Sequence, residues 1–382
     1  MKNIDAIRAN IPCLEKYSYL NMSYGPKSTP VVDEVVRLAR LTESEGTLNP
    51  DVQDELWRMY ENARDGVARL LSADRNEISM TRHVTEGMNI VATGMDWSPG
   101  DEVIISDEEH PGGSLPWMNL ARRRGIKVKM VEMTYDLEEL LSRLGHLIGP
   151  RTKIVSLSHV STKSGFLMPA KEVTDFVHNK GVPIVFDGAH AGGLVEVDGK
   201  EIGCDFYTTC GHKWLLAPQG TGFLYVNKDR LDQLQVTWLG AATTENWDLP
   251  NLTFDPKPNA DKFEYGTRDL TVYGGLSVAL DMAEKIGITN ISARSSKLAS
   301  IMKNKVTDMP FFELMTPMYP NLSTGVVTLI DQRTNPENPA EKLLNDHNII
   351  ITGKDEWTRI SFPYFTREEE VDRLADAINT EN

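Results

Sequence analysis

Short runs of β-branched and aromatic residues alternate with longer amphipathic stretches through the middle of the chain. DEVIIS (101–106), KVKMVEM (127–133), KIVSLSH (153–159), VPIVFD (182–187) and DFYTTC (205–210) have the length and residue types of strands. Between them, segments such as AKEVTDFVHNKG (170–181) carry apolar residues at helical spacing and end on a glycine, which closes a helix without steric cost. Strands alternating with helices predict a mostly parallel sheet covered on both faces, with ligands gathered outside the carboxyl ends of the strands. The C-terminal part reads differently. STGVVTLID (323–331), NIIITGK (348–354) and WTRISFPYF (357–365) predict strands of a smaller α+β unit, closed by a helix that a capping box of Thr366 with Glu369 would open. The expected division is a large α/β domain over 20–280 and a small domain made of 1–19 and 281–382.

Composition narrows the partners. A formal net charge of -15, spread along the chain, argues against nucleic acid and anionic membranes as partners. No apolar run has the length of a membrane span, and MKNIDAIRANIPCLEKYSYL lacks the basic-then-apolar layout of a signal peptide. Cys13, Cys204 and Cys210 have no metal-type spacing and cannot all pair, which fits a reduced, cytoplasmic setting with no metal site.

Several polar residues stand where strands end. In VPIVFDGAHAGG, Asp187 closes an apolar run; it reads as a turn or capping residue, or as a carboxylate that fixes a cation. In ISMTRHVTEGMNIVATG (78–94) a strand runs into a helix near Thr85, either as a threonine N-cap or as an anion seat built from free N–H groups. His110 follows another strand in SDEEHPGG (106–113). In TTCGHKWLLAPQGTGFLYV (208–226) Lys213 lies in apolar surroundings, either as a surface residue or as a nucleophile whose charge disappears into a covalent bond.

Taken in order, phosphate-type turn, histidine, strand-end aspartate and lysine resemble the layout of fold-type I pyridoxal 5'-phosphate (PLP) enzymes. The chain is similar to the class V aminotransferase family, which includes cysteine desulfurases, isopenicillin N epimerase, kynureninase and cysteine/cystine C–S lyases. The likeness runs nearly end to end through YLNMSYGP (19–26), HVTEGMN (83–89), EHPGG (109–113), SHVSTKSGFLMP (158–169), DGAHAGG (187–193), GHKWLLAPQGTGFLYV (211–226), FEYGTRDL (263–270) and RISFPYF (359–365). It implies an α/β PLP-dependent transferase of fold type I, with a mostly parallel seven-stranded sheet in the large domain.

The resemblance also implies roles. Lys213 would bind the cofactor aldehyde covalently, and Asp187 would keep the pyridine nitrogen protonated. His110 would stack on the ring and share in catalysis, while Val84, Thr85 and His212 would hold the phosphate. Gly266 and Thr267 match a segment that reaches the phosphate of a neighbouring subunit, so a homodimer with a shared active site is implied. Arg359 matches the arginine that grips a substrate α-carboxylate. Three positions in the cofactor pocket depart from common patterns: Thr162 where many relatives carry asparagine, His190 where desulfurases usually carry glutamine, and Cys210 in place of a phosphate-holding serine. The segments around Asn21, Tyr24 and Gly25, and around Trp247 in ENWDLP (245–250), are candidates for contacting the substrate side chain.

For the reaction, residues 340–382 contain no cysteine, whereas persulfide-forming desulfurases use a mobile one there. The segments LNMSYGP, HKWLLAP and GTRD look closest to the isopenicillin N epimerase-like branch. An epimerase and a C–S or C–N lyase would share an α-carbanion and part afterwards. A transaminase of the same fold and a non-catalytic PLP-fold protein remain the alternatives.

Overall fold

The computed structural model describes residues 4–333, 338–354 and 357–380. Its centre is a seven-stranded sheet: β1 (Ile78–Thr81), β2 (Glu102–Ser106), β3 (Lys127–Val131), β4 (Thr152–Ser158), β5 (Ile184–Asp187), β6 (Phe206–Cys210) and β7 (Gly222–Val226). The spatial order is β1-β7-β6-β5-β4-β2-β3, parallel throughout except for β7, which runs antiparallel to both neighbours. Alternation along each strand divides the interior. In β5, Ile184 and Phe186 join the cluster that also takes Val173 and Val177 of helix Ala170–His178. Val185 joins the opposite cluster, with Met88 of helix Val84–Gly94 and Trp117 of helix Pro111–Arg124. Both faces are covered, so the central strands are buried on both sides, and the polar residues they carry, Ser156 in β4 and Thr208 and Thr209 in β6, are hydrogen-bonded there.

All five predicted strands of the middle region form, with ends shifted by one or two residues. VPIVFD begins at Ile184 because Pro183 has no N–H to give the ladder; its carbonyl accepts from Val155 instead. The predicted run 348–354 divides in two. Ile349–Ile350 pairs in parallel with Ser18–Tyr19, and Thr352–Lys354 pairs antiparallel with Trp357–Ser361. The last strand stops at Ser361, after which Phe362 turns its N–H to Gly325 and Pro363 ends the pairing. The small sheet has the order Phe312–Leu314, Val326–Asp331, Trp357–Ser361, Thr352–Lys354, all antiparallel.

The expected capping box does not form. The final helix spans Glu368–Thr380, the Thr366 hydroxyl is buried without a hydrogen bond, and Glu370 rather than Glu369 accepts from the Arg367 N–H. Glu370 also binds Arg8, tying the chain's first helix (Ile4–Ala9) to its last. The Ser18–Ile349 pairing likewise ties the first residues to the C-terminal segment. Among the described residues no helix is long and apolar enough to cross a membrane.

One buried ion pair locks the segment before Gly266 against β1. Arg64, almost fully buried, donates to Glu264 at 2.7 Å and to the Ile78 carbonyl, while Glu264 also accepts from the Met80 N–H and the Tyr60 hydroxyl. Removing Glu264 leaves Arg64 with the less buried Asp261 at 2.8 Å and Glu61 at 3.1 Å and orphans the Met80 N–H and the Tyr60 hydroxyl, so Glu264→Ala is expected to cost about 3 kcal/mol. Replacing Arg64 and Glu264 together by apolar residues should cost less than the two single changes combined. A double-mutant cycle by denaturant unfolding checks both statements.

Candidate active site

A cavity of about 900 Å³ opens at the carboxyl ends of the sheet strands. It is lined by Val84, Thr85, His110, Thr162, Asp187, His190, Cys210, His212, Lys213, Arg359 and Tyr24, so eleven of the residues singled out by sequence converge there. Asn21, Gly25, Gly266, Thr267 and Trp247 do not line it.

Local structure explains each placement. Helix Val84–Gly94 starts at the cavity wall, and its N-cap is His83, not Thr85: the His83 Nδ1 accepts from the Glu86 N–H. Thr85 therefore sits inside the first turn, where backbone N–H groups point outward without intrahelical partners. His110 is the N-cap of helix Pro111–Arg124 and its Nδ1 accepts from Gly112 at 2.9 Å, which fixes the ring. Asp187 ends β5, and one carboxylate oxygen accepts from the Ala189 N–H at 2.9 Å. Desolvation raises its pKa above the ordinary aspartate value, opposed by that hydrogen bond and by Lys213. Lys213 is half-buried in the turn after β6, and desolvation lowers its pKa. Leu216, three residues on, takes φ +59, a conformation a leucine holds only under constraint from its surroundings.

Arg359 lies on the strand Trp357–Ser361 and is 8% exposed. Its Nη1 donates to the Thr162 carbonyl at 2.7 Å and to the Thr162 hydroxyl at 2.5 Å, and its Nη2 donates to the Ser23 hydroxyl at 2.6 Å. Its Nε is buried without a partner. Burial lowers its pKa to about 10. The same cavity holds His190 in its neutral form, its pKa pushed well below the ordinary histidine value by desolvation. Trp214 donates to His190 Nδ1 at 3.4 Å, which leaves Nε2 to carry the proton and face the Thr162 hydroxyl at 3.5 Å. Cys210 is buried, with desolvation raising its thiol to about 11.

Two of the residues outside the cavity wall act at one remove. The Asn21 side chain bonds the Ile351 carbonyl and the Ser23 N–H, so Ser23, which the sequence reading did not single out, is the residue of that segment that meets Arg359. Gly25 donates its N–H to the His212 carbonyl, and a β-carbon there would overlap the Lys213 carbonyl oxygen; the glycine allows the two segments to touch. Gly266 and Thr267 are exposed. Trp247 is also exposed, on the hairpin Thr244–Asp248/Thr253–Pro256 opposite Phe254. Glu108, Glu109, Lys163 and Trp357 also line the cavity and were not anticipated, although EEHPGG and STK were both in view.

The chain matches the aminotransferase class-V family over residues 26–374. It is 32% identical over 344 residues to an isopenicillin N epimerase of Streptomyces clavuligerus, covering 85% of this chain and 84% of that protein. A cysteine desulfurase of Haloferax volcanii is 28% identical over 420 residues, covering 99% and 96%. Among solved structures, the cysteine desulfurase CsdA of Escherichia coli superposes with a TM-score of 0.87 at 26% identity, covering 99% of this chain and 98% of that one. With this fold, this cavity and a match over most of its length, the chain belongs to the class-V aminotransferase family and is a PLP-dependent enzyme of fold type I.

Proposed function

We propose that the cavity binds PLP together with an amino acid, and that the enzyme exchanges or removes groups at and beside the substrate's α-carbon. The product class would be that of an isopenicillin N epimerase-like epimerase or a C–S lyase without a persulfide cysteine. The observation that carries this reading is Arg359: a buried guanidinium without a carboxylate partner among the described residues, in the same cavity as Lys213 and Asp187. A planar fork of donors in a desolvated wall fits a substrate α-carboxylate, which would supply the missing anion.

The residues fit the cofactor as well. Asp187 would hold the ring nitrogen, His110 would cover a ring face, and Val84, Thr85 and the orphaned His212 Nδ1 would meet the phosphate. When bound, PLP supplies an electron sink for charge developing at the α-carbon. Lys213 can attack a carbonyl because burial raises its neutral fraction, and the same amine can then accept or return a proton at the α-carbon. Thr162 is oriented by Arg359 and His190, so its hydroxyl is held at the cavity wall.

The thiols support the lyase or epimerase reading over persulfide chemistry. Cys13 is half-buried, and Cys204 and Cys210 are buried, with all three pKa values raised by desolvation; none is an exposed thiolate. Exposure of Gly266 and Thr267 supports a homodimer in which they serve a neighbouring subunit.

Purified protein given PLP is expected to acquire a visible absorption band that borohydride abolishes, and Lys213→Ala should never acquire it. A colourless wild-type protein would remove the basis of this reading. With a panel of L-amino acids in deuterated water, α-deuteration with D-isomer marks an epimerase, released sulfide or ammonia marks a lyase, and exchange with a keto acid marks a transaminase. Arg359→Lys should raise KM by about 10- to 100-fold, the worth of a charge-assisted hydrogen bond, with a smaller change in kcat.

A further inference from the structure

Glu109 is a carboxyl that the chemistry above leaves without a task, and its surroundings are built for it. β5, β4 and β2 are neighbours in the sheet, and they end on Asp187, Ser158 and Ser106. Glu109 folds back over the ends of β2 and β4. It accepts from the Ser106 hydroxyl at 2.6 Å, from the Ser158 N–H at 2.9 Å and from the Ser158 hydroxyl at 2.7 Å. A β-carbon on Gly113 would lie 3.2 Å from Glu109 Oε2 and 3.3 Å from Asp187 Oδ2, so the two carboxyl groups converge on one small space that a glycine leaves open. Carboxyl groups that share a desolvated site do not both ionise freely. Desolvation, reinforced by the Asp187 charge, raises Glu109 to about 7 against its serine hydrogen bonds.

The donor set matters. Of the three hydrogen bonds, only the Ser158 N–H is a fixed donor; the two hydroxyls rotate and can accept from a protonated carboxyl as well as donate to an ionised one. The nest therefore suits Glu109 in either protonation state. We propose that Glu109 is a positioning residue acting through Asp187: by taking up or releasing a proton at the strand ends, it sets how strongly Asp187 holds the cofactor's ring nitrogen protonated. This rests on the PLP reading of the cavity.

The groups around Glu109 are few. β5 contributes Asp187, with Lys213 beyond it on the turn after β6; β4 and β2 contribute serine hydroxyls, and helix Pro111–Arg124 contributes Gly113. On its own segment, Glu108 turns to the Ser161 and Ser164 hydroxyls, Asp107 accepts from the Met133 N–H, and His110 is tied to Gly112. Asp187 is thus the charged group whose field Glu109 feels most directly. Neutral Glu109 leaves Asp187 as the lone anion facing the ring nitrogen. Ionised Glu109 adds a second negative charge, which favours every cationic form in the cavity.

The test is the absorption of bound cofactor in the holoenzyme followed across the neutral pH range, with cofactor retention measured alongside. Wild type should show a spectral step as Glu109 ionises. Glu109→Gln should still bind PLP but lose that step or displace it by about one pH unit or more, and Glu109→Asp should keep a step at a displaced midpoint. A Glu109→Gln profile that superimposes on wild type overturns the inference while leaving the PLP reading intact. If Glu109→Gln does not fold, Ser158→Ala decides: losing a donor to the ionised carboxyl should move the midpoint upward, and an unmoved midpoint overturns the proposal. Wild-type protein that never colours with PLP would defeat the underlying reading, and this inference with it.

Discussion

The site depends on how the fold tolerates positive charge away from water. Two buried arginines show the contrast. Arg64 lies among Glu264, Asp261 and the Tyr60 hydroxyl, and those neighbours raise its pKa above the ordinary arginine value despite desolvation. Arg359 has hydroxyls and a carbonyl around it but no carboxylate partner among the described residues, and burial lowers it. An isolated charge in a low-dielectric wall is expensive unless something completes it. Arg64 is completed within the chain and is structural. Arg359 opens on a cavity whose other walls carry the amine of Lys213 and the carboxyl groups of Asp187, Glu108 and Glu109, none of which bonds it.

Much of this was legible in the sequence because the signals were local. β5 is a short apolar run that ends on the polar Asp187, β6 is a short β-branched and aromatic run that ends on Cys210, and period-two alternation sends Ile184 and Phe186 to one face and Val185 to the other. Lys213, His110 and Asp187 each lie within a few residues of a strand end, so predicting the strands already placed them on one edge of the sheet. The helix at Val84 was visible too, with a threonine cap left open beside an anion seat; its cap is His83, because only the folded ring shows Nδ1 turned toward the Glu86 N–H.

What the sequence hid were relations between distant segments. Ser23 meets Arg359 across most of the chain's length, and no local pattern marks it. Glu109 stood beside His110 in plain view, but its environment is made by Ser106, Ser158 and Asp187 from three strands. The capping box at Thr366 had the right residue spacing, yet the fold buries that hydroxyl and gives Glu370 both Arg8 and the Arg367 N–H. Tertiary contacts chose between two glutamates that sequence spacing could not separate.

The segment 18–27 shows how the distance from amine to guanidinium is fixed. Ser18–Tyr19 pairs with Ile349–Ile350, and the Leu20 carbonyl accepts from Ser361, so this stretch is anchored to the unit that carries Arg359. A few residues later Ser23 bonds Arg359 itself. Gly25 then binds the His212 carbonyl, and Lys27 donates to the Ala217 carbonyl at 2.6 Å, clasping the turn that carries Lys213 from both ends. Lys27 accepts a pKa lowered to about 8 by burial in order to reach that carbonyl. One short run of chain thus bonds both Arg359 and the turn that carries Lys213 through backbone and short side chains, which have little freedom to relax. The spacing between Lys213 and Arg359 is therefore set by this strap, not by the flexible length of either side chain.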